Sequence, residues 1–266
     1  MLSGIDISQY QGSAFNTEKA KAEGFDFCIC RLGGGLPGFN QDNYFLDNYI
    51  NCKEQGLKVG AYVYANGLNE ENYFLDVFAY ETASRLDTLQ LEYPVFLDVE
   101  AASWRNRTKE VNTAVIKRIL DKMESYNLFV GVYSSQEWFK NCVNYDELYG
   151  RYVCWVAKWS INPPTIGYDL WQYGGETNLI RSNMVAGVIC DQNYSKYDYS
   201  EIIPKTNCNG WSDLTCDVNG DGKVNSKDIV AEMKAIANGT GGKDVNGDGK
   251  VNSKDIVKIM KEISDK

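Results

Sequence analysis

The hydrophobic positions of the chain fall into two rhythms. Up to about residue 141, short apolar runs alternate with stretches of helical spacing. Gly4–Ser8, Phe25–Leu32, Val59–Tyr64, Pro94–Val99 and Leu128–Tyr133 predict buried strands. Between them the spacing predicts helices. Asn16–Glu23 is capped by Asn16 or Thr17, and Asn43–Gln55 stops at Gly56. Glu70–Leu86 turns Phe74, Val77 and Phe78 to one side, and Lys109–Tyr126 turns Val111, Val115, Ile119 and Met123 inward. A short helix over Gln136–Asn141 closes this part. Beyond it, Tyr152–Ala157, Tyr168–Tyr173 and Ala186–Asp191 read as strands with little helix between them. Five strands with helices and three without imply an α/β fold, a parallel sheet of eight strands closed as a barrel. The missing late helices imply an irregular, flattened one.

A change of character follows. Residues 1–203 form the barrel, and 204–214, with Pro204-Lys205-Thr206-Asn207, read as a linker. Residues 215–266 form a second module. Within it Asp217–Val230 recurs letter for letter as Asp244–Val257. Each copy fits a twelve-position calcium loop, in which a hard cation takes about seven oxygens. Asp217, Asn219 and Asp221 stand at positions one, three and five, with Gly222 at the sharp turn. Lys223 offers its carbonyl, Asn225 stands at nine, and Asp228 binds two-handed at twelve. The second copy supplies Asp244, Asn246, Asp248, Lys250, Asn252 and Asp255. The segments before the loops are rich in Gly, Asn and Ser and predict no entering helix. The exiting helices carry Ile229, Val230, Met233 and Ile236, then Ile256, Val257, Met260 and Ile263. The module is small, all-α and dependent on two calcium ions to fold.

Charge and chemistry narrow the function. The net charge of −9 sits in the first 216 residues, because Asp217–Lys266 holds nine lysines and nine acids. An acidic body argues against nucleic acid or an anionic membrane as partner. No apolar run is long enough to span a membrane. Histidine is absent, which removes Ser-His, Cys-His and His-metal chemistry and leaves carboxylates as the leading candidates. Asp98 and Glu100 end the fourth strand two residues apart, so they point the same way, roughly 6.5 to 7 Å apart along the chain. The plain alternative is a strand end with two solvated acids. Asp6 ends strand one and Asp191 ends strand eight, so four acids meet at one mouth. Crowded acids repel, and a raised pKa makes a proton donor. Such a pair suits glycosidic bond cleavage without a cofactor. The rim is aromatic, as stacking on sugar rings requires. The substrate-binding candidates are Tyr10, Arg31, Tyr62, Tyr64, Tyr133, Trp155, Lys158, Trp171 and Gln172. Of eight cysteines, Cys208 and Cys216 flank a loop and are the best disulfide pair in an oxidising compartment.

The segments Gly4-Ile5-Asp6-Ile7-Ser8-Gln9-Tyr10-Gln11-Gly12, Phe96-Leu97-Asp98-Val99-Glu100, Trp171-Gln172-Tyr173-Gly174 and Asp191-Gln192-Asn193-Tyr194 resemble the successive motifs of glycoside hydrolase family 25, the Chalaropsis-type lysozymes. The resemblance spans residues 3–200. It implies a flattened (β/α)5(β)3 TIM-like barrel and cleavage of the β-1,4 bond between N-acetylmuramic acid and N-acetylglucosamine in peptidoglycan. Glu100 then matches the proton donor and Asp98 the second carboxylate, as nucleophile or as guide of the substrate's acetamido group; Asp6 and Asp191 match the supporting acids. Arg31-Leu32-Gly33-Gly34-Gly35 departs from the Lys-Ala-Thr-Glu-like turn of many relatives. Residues 210–266 resemble a dockerin, a duplicated half-EF-hand that plugs secreted enzymes into cohesin-bearing scaffolds. Ser226, Lys227, Ser253 and Lys254 match its cohesin-contacting positions, and their identity in both copies implies docking in either of two orientations. Together these imply a monomeric, secreted enzyme on a scaffold or cell surface, its signal peptide already removed. Two other classes stay in view: a chitinase-like or endo-N-acetylglucosaminidase hydrolase, and a non-catalytic wall-binding module.

Overall fold

The computed structural model describes residues 1–266 apart from 36–37, 67–70, 212–213, 222, 265–266 and the side chain of Leu214. Glu70, Ser212, Asp213 and Gly222, expected at a helix start, in the linker and at the turn of the first loop, lie outside the described residues. The chain divides into two compact units, Met1–Gly210 and Trp211–Lys266.

The first unit is built on β1 (Leu2–Ile7), β2 (Phe27–Gly34), β3 (Lys58–Tyr64), β4 (Val95–Asp98), β5 (Val130–Ser135), β6 (Val153–Ala157), β7 (Leu170–Gly174) and β8 (Asp191–Ser195). They pair in chain order, and β1 pairs with both β2 and β8, which closes the barrel. Helices α1 (Thr17–Ala22), α2 (Phe45–Glu54), α3 (Asn72–Leu86), α4 (Lys109–Glu124) and α5 (Gln136–Cys142) follow the first five strands. Asn16 caps α1, its side chain accepting the Lys19 N–H, and Thr108 caps α4 in the same way through Val111 N–H. As the pattern predicts, no α-helix follows β6 or β7 among the described residues.

One strand differs from its prediction. Residues Ala186–Asp191 were expected to be the eighth, parallel strand. Instead Met184–Val185 and Val188–Ile189 form a small separate hairpin, and β8 begins at Asp191. It runs antiparallel to β1 and β7, while the other seven are mutually parallel. With no helix to carry the chain back across the barrel, the connection 175–190, which holds that hairpin, returns it in the opposite sense.

Strand alternation sorts the two faces. Ile5, Ile7, Cys28, Cys30, Val59, Ala61, Val95, Leu97, Val130 and Val132 point out into the core beneath the helices. The alternate residues fill the barrel. Phe27 and Phe96 occupy its floor so fully that a Cβ at Gly4 would lie 2.2 Å from the Phe27 ring and one at Gly131 2.5 Å from Phe96. On α3 the buried stripe is Leu75, Phe78, Ala79, Thr82 and Leu86; Phe74 and Val77 are only half-buried, one position off it. On α4, Val115, Ile119 and Met123 are buried as expected, and Val111 is half-buried.

Residues 204–210 of the expected linker belong to the first unit. Asn209 is buried; its Oδ1 accepts the Phe129 N–H at 2.8 Å and its Nδ2 donates to the Tyr93 carbonyl at 3.0 Å. The Cys208 thiol bonds the Thr206 carbonyl, while Cys216 lies in the core of the other unit; among the described residues no disulfide joins them.

The second unit holds α6 (Ser226–Asn238) and α7 (Ser253–Ser264), each leaving one loop, with no entering α-helix among the described residues. Cys216, Val224, Val245 and Ile259 form its small core, with Ile229 and Ile263 against it. Of the apolar residues that mark the exiting helices, Val230, Met233, Val257 and Met260 are 48%, 54%, 64% and 54% exposed. Two crossing helices cover one narrow stripe each, and Asp228, Glu232 and Asp255 occupy much of it.

Replacing Asn209 by Ala leaves a buried N–H and a buried carbonyl unpaired. The barrel should lose about 2 to 4 kcal/mol, seen as a thermal midpoint lowered by several degrees; an unchanged midpoint would show that residues 204–210 do not brace it.

Candidate functional site

The carboxylates converge where the pattern places them. Asp6 ends the inward row of β1, and Asp98 that of β4, with Glu100 two residues on. Asp191 opens β8 opposite Asp6 in the antiparallel register. The reversal of β8 thus keeps Asp191 at the mouth: a strand running the other way presents its first residue where a parallel strand presents its last. Asp191 Oδ1 lies where a Cβ of residue 175 would be, at 2.0 Å, so only Gly175 admits it.

Each acid is held differently. Asp6 Oδ2 accepts the Gln172 amide at 3.0 Å and the Asn193 amide at 2.8 Å. Burial pushes its pKa up to about 6 against those two donors, with repulsion from Glu100 adding to the rise. Burial likewise pushes Asp191 up to about 8, helped by Asp6, Glu100 and Glu176. Asp98 is buried, and its Oδ1 has no hydrogen-bond partner. Its pKa is raised well above the carboxylate range by burial and then by Glu100 and Asp6, against the Glu100 backbone N–H and Arg31. Glu100 opens onto the cleft, yet loss of water on its protein side raises its pKa too. All four acids act on the buried Tyr133 phenol, whose own burial is the larger effect, and keep it protonated. That shared influence is the electrostatic mark of their convergence.

The candidate binding residues divide. Trp155 stands at the centre, with Tyr133, Phe96 and Tyr62 rings 4.3, 5.1 and 6.2 Å away. Gln172 Oε1 accepts both the Tyr133 hydroxyl at 2.9 Å and the Trp159 indole N–H at 3.1 Å. Tyr64 pairs with Asp98 across the strands and is half-buried. Arg31 is fixed by Asp42 at 2.7 Å and lies 5.0 Å from the ring of Tyr10, which is 81% exposed. With Gly33–Gly35 and Tyr64 they line a recess of about 250 Å3. Two residues fall elsewhere. Trp171 neighbours the inward Gln172 and so faces out, buried against Tyr173 and Tyr194 at 5.8 and 6.0 Å. The Lys158 ammonium donates to the Pro163 carbonyl at 2.8 Å, and the Lys158 carbonyl accepts the Trp171 indole. Asn193, Trp159 and Asp42 were not foreseen. Asn193 was legible in principle: it lies two residues past Asp191, on the same face once β8 starts there.

In the second unit the two loops repeat one hydrogen-bond pattern. Asp228 Oδ1 accepts Val218 and Asn219 N–H at 3.0 and 3.2 Å, and Oδ2 accepts Asn225 N–H at 2.8 Å. Asp255 does the same with Val245, Asn246 and Asn252 at 2.9, 3.1 and 2.8 Å. Asp217 accepts the Gly220 and Asp221 N–H groups, and Asp244 accepts those of Gly247, Asp248 and Gly249. Every candidate ligand offers oxygen, the donor set of a hard cation, on a loop already folded by its own carboxylates. Asp217, Asn219, Asp221, Lys223, Asn225 and Asp228, and their counterparts in the second copy, fit calcium. Ser226, Lys227, Ser253 and Lys254 are exposed at the helix starts.

The family description Glycosyl hydrolases family 25 matches residues 5–180, and Dockerin type I domain matches residues 215–264. Dockerin type I domains bind calcium. No curated protein matches the sequence. The first unit's fold is that of a lysozyme from Streptomyces coelicolor, at 21% identity over 77% of this chain and 97% of that one, with a TM-score of 0.61. A muramidase from Acremonium alcalophilum matches at 20% identity over 78% and 99%, TM-score 0.62. A family 25 glycosyl hydrolase from Bacillus anthracis matches at 20% over 76% and 92%, TM-score 0.58. With two thirds of its length matched in sequence and the closed barrel matched in shape, the chain belongs to glycosyl hydrolase family 25 and carries a dockerin type I domain at its C-terminal end.

Proposed function

We propose that this glycoside hydrolase cleaves the β-1,4 bond between N-acetylmuramic acid and N-acetylglucosamine in peptidoglycan. The observation that carries the reading is the placement of Asp98 and Glu100. They stand two residues apart at one strand end, Glu100 open to the cleft with a raised pKa and Asp98 buried beside it. Glu100, its pKa raised by burial, gives its proton to the leaving sugar oxygen. Asp98 supplies the second carboxylate, its buried Oδ1 having no hydrogen-bond partner among the described residues. Asp6, pushed up to about 6, carries negative charge at neutral pH that favours the cationic transition state, while Asp191, pushed up to about 8, holds a proton there. Tyr62, Tyr64, Tyr133 and Trp155 give the sugar its apolar and hydroxyl-bearing wall, with Tyr10, Arg31 and Gln172 around it. Trp171 and Lys158 act only by bracing.

The second unit binds two calcium ions and docks a cohesin module. The exposed Val230, Met233, Val257 and Met260 support this, since they lie on the same helices as Ser226-Lys227 and Ser253-Lys254. The near-identical halves offer the partner two orientations. Peptidoglycan, scaffold and calcium place the protein outside the cell or on its surface.

Three outcomes test these assignments. Glu100→Gln should slow clearing of cell-wall suspensions at least about a hundredfold while the wall is still bound, and the wild-type products should end in reducing muramic acid. Reducing N-acetylglucosamine would assign the enzyme to the other bond. Activity should fall as pH rises, because Glu100 must keep its proton. Asp191, pushed up to about 8, is largely uncharged below that pH, so Asp191→Asn should leave the alkaline limb in place; a limb moved to lower pH would show that Asp191 carries charge beside Glu100. Chelating calcium should unfold residues 215–264, lower the helical signal and release cohesin, with both restored on adding calcium back.

A further inference from the structure

The outward row of β2 carries two sulfurs. Cys28 and Cys30 lie two residues apart on one strand face, and α2, packed against β2, adds Cys52. All three are fully buried. The Cys28 and Cys30 Sγ atoms are 3.6 Å apart, and the three Sγ atoms all lie within 4.8 Å of one another. Other thiols of the first unit are placed differently. Cys154, Cys190 and Cys208 each donate to a backbone carbonyl, those of Tyr152, Asp6 and Thr206.

The geometry of the three sulfurs suits a metal ion. Three sulfurs bound to one ion at about 2.3 Å stand about 4 Å apart, and the observed separations lie around that figure. The donor set decides which ion. Among the described residues no carboxylate joins the cluster, and the chain has no histidine. A dry, sulfur-only set rejects the hard calcium that the oxygen-rich loops of the tail select, and it favours a soft, thiophilic ion. Each ligating thiol gives up its proton as the ion binds. Cys28 and Cys30, by hydrogen bonding, hold the Cys52 thiol below its ordinary value, so its sulfur is the first to carry charge.

We propose that Cys28, Cys30 and Cys52 form a three-sulfur site for one soft metal ion, zinc(II) or copper(I) in kind, which clips α2 to β2. The clip stands directly behind the recess at the barrel mouth. Arg31, next to Cys30, points the opposite way into that recess and pairs with Asp42. Beyond it β2 ends in Gly33 and Gly34, which bring no side chain to hold the strand in place. Metal–sulfur bonds supply at this end of β2 what side-chain packing does not.

Refolding the reduced full chain anaerobically, with calcium in excess and increasing cadmium(II) or, in a second series, copper(I), tests this. Cadmium stands in for zinc and gives an ultraviolet sulfur-to-metal charge-transfer band that oxygen ligands in the calcium loops do not produce. The band should saturate at one ion per chain, and the cadmium NMR resonance should fall in the range of sulfur-only coordination. The thermal midpoint of the barrel should rise by several degrees on loading. Cys30→Ser and Cys52→Ser should lose the band and the rise, while Cys208→Ser keeps both. Competition against a chelator in each series shows which ion the site prefers. No band in either series, or a band unchanged in Cys52→Ser, would overturn the site. So would a disulfide among the three cysteines in the protein as isolated, found by peptide mass, which would make the cluster a covalent crosslink. The wild-type band and resonance decide the matter even where a serine variant fails to fold.

Discussion

Everything at the mouth of the barrel follows from one constraint: in a closed ring of eight strands, every second side chain must fit inside. The interior is narrow, and its floor is taken by Phe27 and Phe96 facing Gly4 and Gly131. Polar groups can enter only near the open end, where they meet one another rather than water. Asp6, Asp98, Glu100 and Asp191 are therefore forced into mutual range, and burial raises the pKa of each before any neighbour acts. The carboxamides of Gln172 and Asn193 are the main counterweight at Asp6, since the single cation acting on Asp98, Arg31, is already committed to Asp42.

The same constraint explains what could be read from the chain and what could not. Strand alternation made Asp98 and Glu100 legible as a pair, because parity is a property of sequence. It would also have excluded Trp171, which adjoins Gln172 and cannot share its face. The aromatic character of Trp171 masked that parity. Strand direction, in contrast, is set by what connects the strands. The stretch 175–190 offered an apolar run at 186–190 that looked like a strand, and the true β8 is the polar-looking Asp191–Ser195. Asp191 reached the right place only because a misplaced strand and a reversed direction compensate. Lys158 was beyond reach for a simpler reason: the aim of a long flexible side chain is decided by the nearest unpaired carbonyl, here that of Pro163.

In the tail, identity of the two copies made every loop ligand legible at once. It also hid what is not repeated. Asn209 looked like linker because Asn-Gly is turn chemistry. Its role comes instead from two strand-end groups, the Tyr93 carbonyl and the Phe129 N–H, left open in a distant part of the chain. Glu232 looked like one more surface acid on a helix. Only the crossing of the two helices places it against Gly242 and Lys243.

The two units show how little the identity of a buried aspartate decides on its own. Asp98 and Asp255 are both buried. At Asp98 one oxygen meets no donor among the described residues, burial and the charges of Glu100 and Asp6 outweigh the Glu100 N–H, and the pKa is driven up. At Asp255 burial pushes the same way, but the N–H groups of Asn252, Asn246 and Val245 outweigh it, and the pKa falls. The difference is backbone geometry. A strand end spends most of its N–H groups on the neighbouring strand and turns few inward, that of Glu100 at Asp98, whereas a tight loop turns several toward its centre. A barrel mouth is therefore suited to acids that keep and release protons, and a repeated loop to acids that stay charged for a cation. Each unit's chemistry follows from where its backbone donors point.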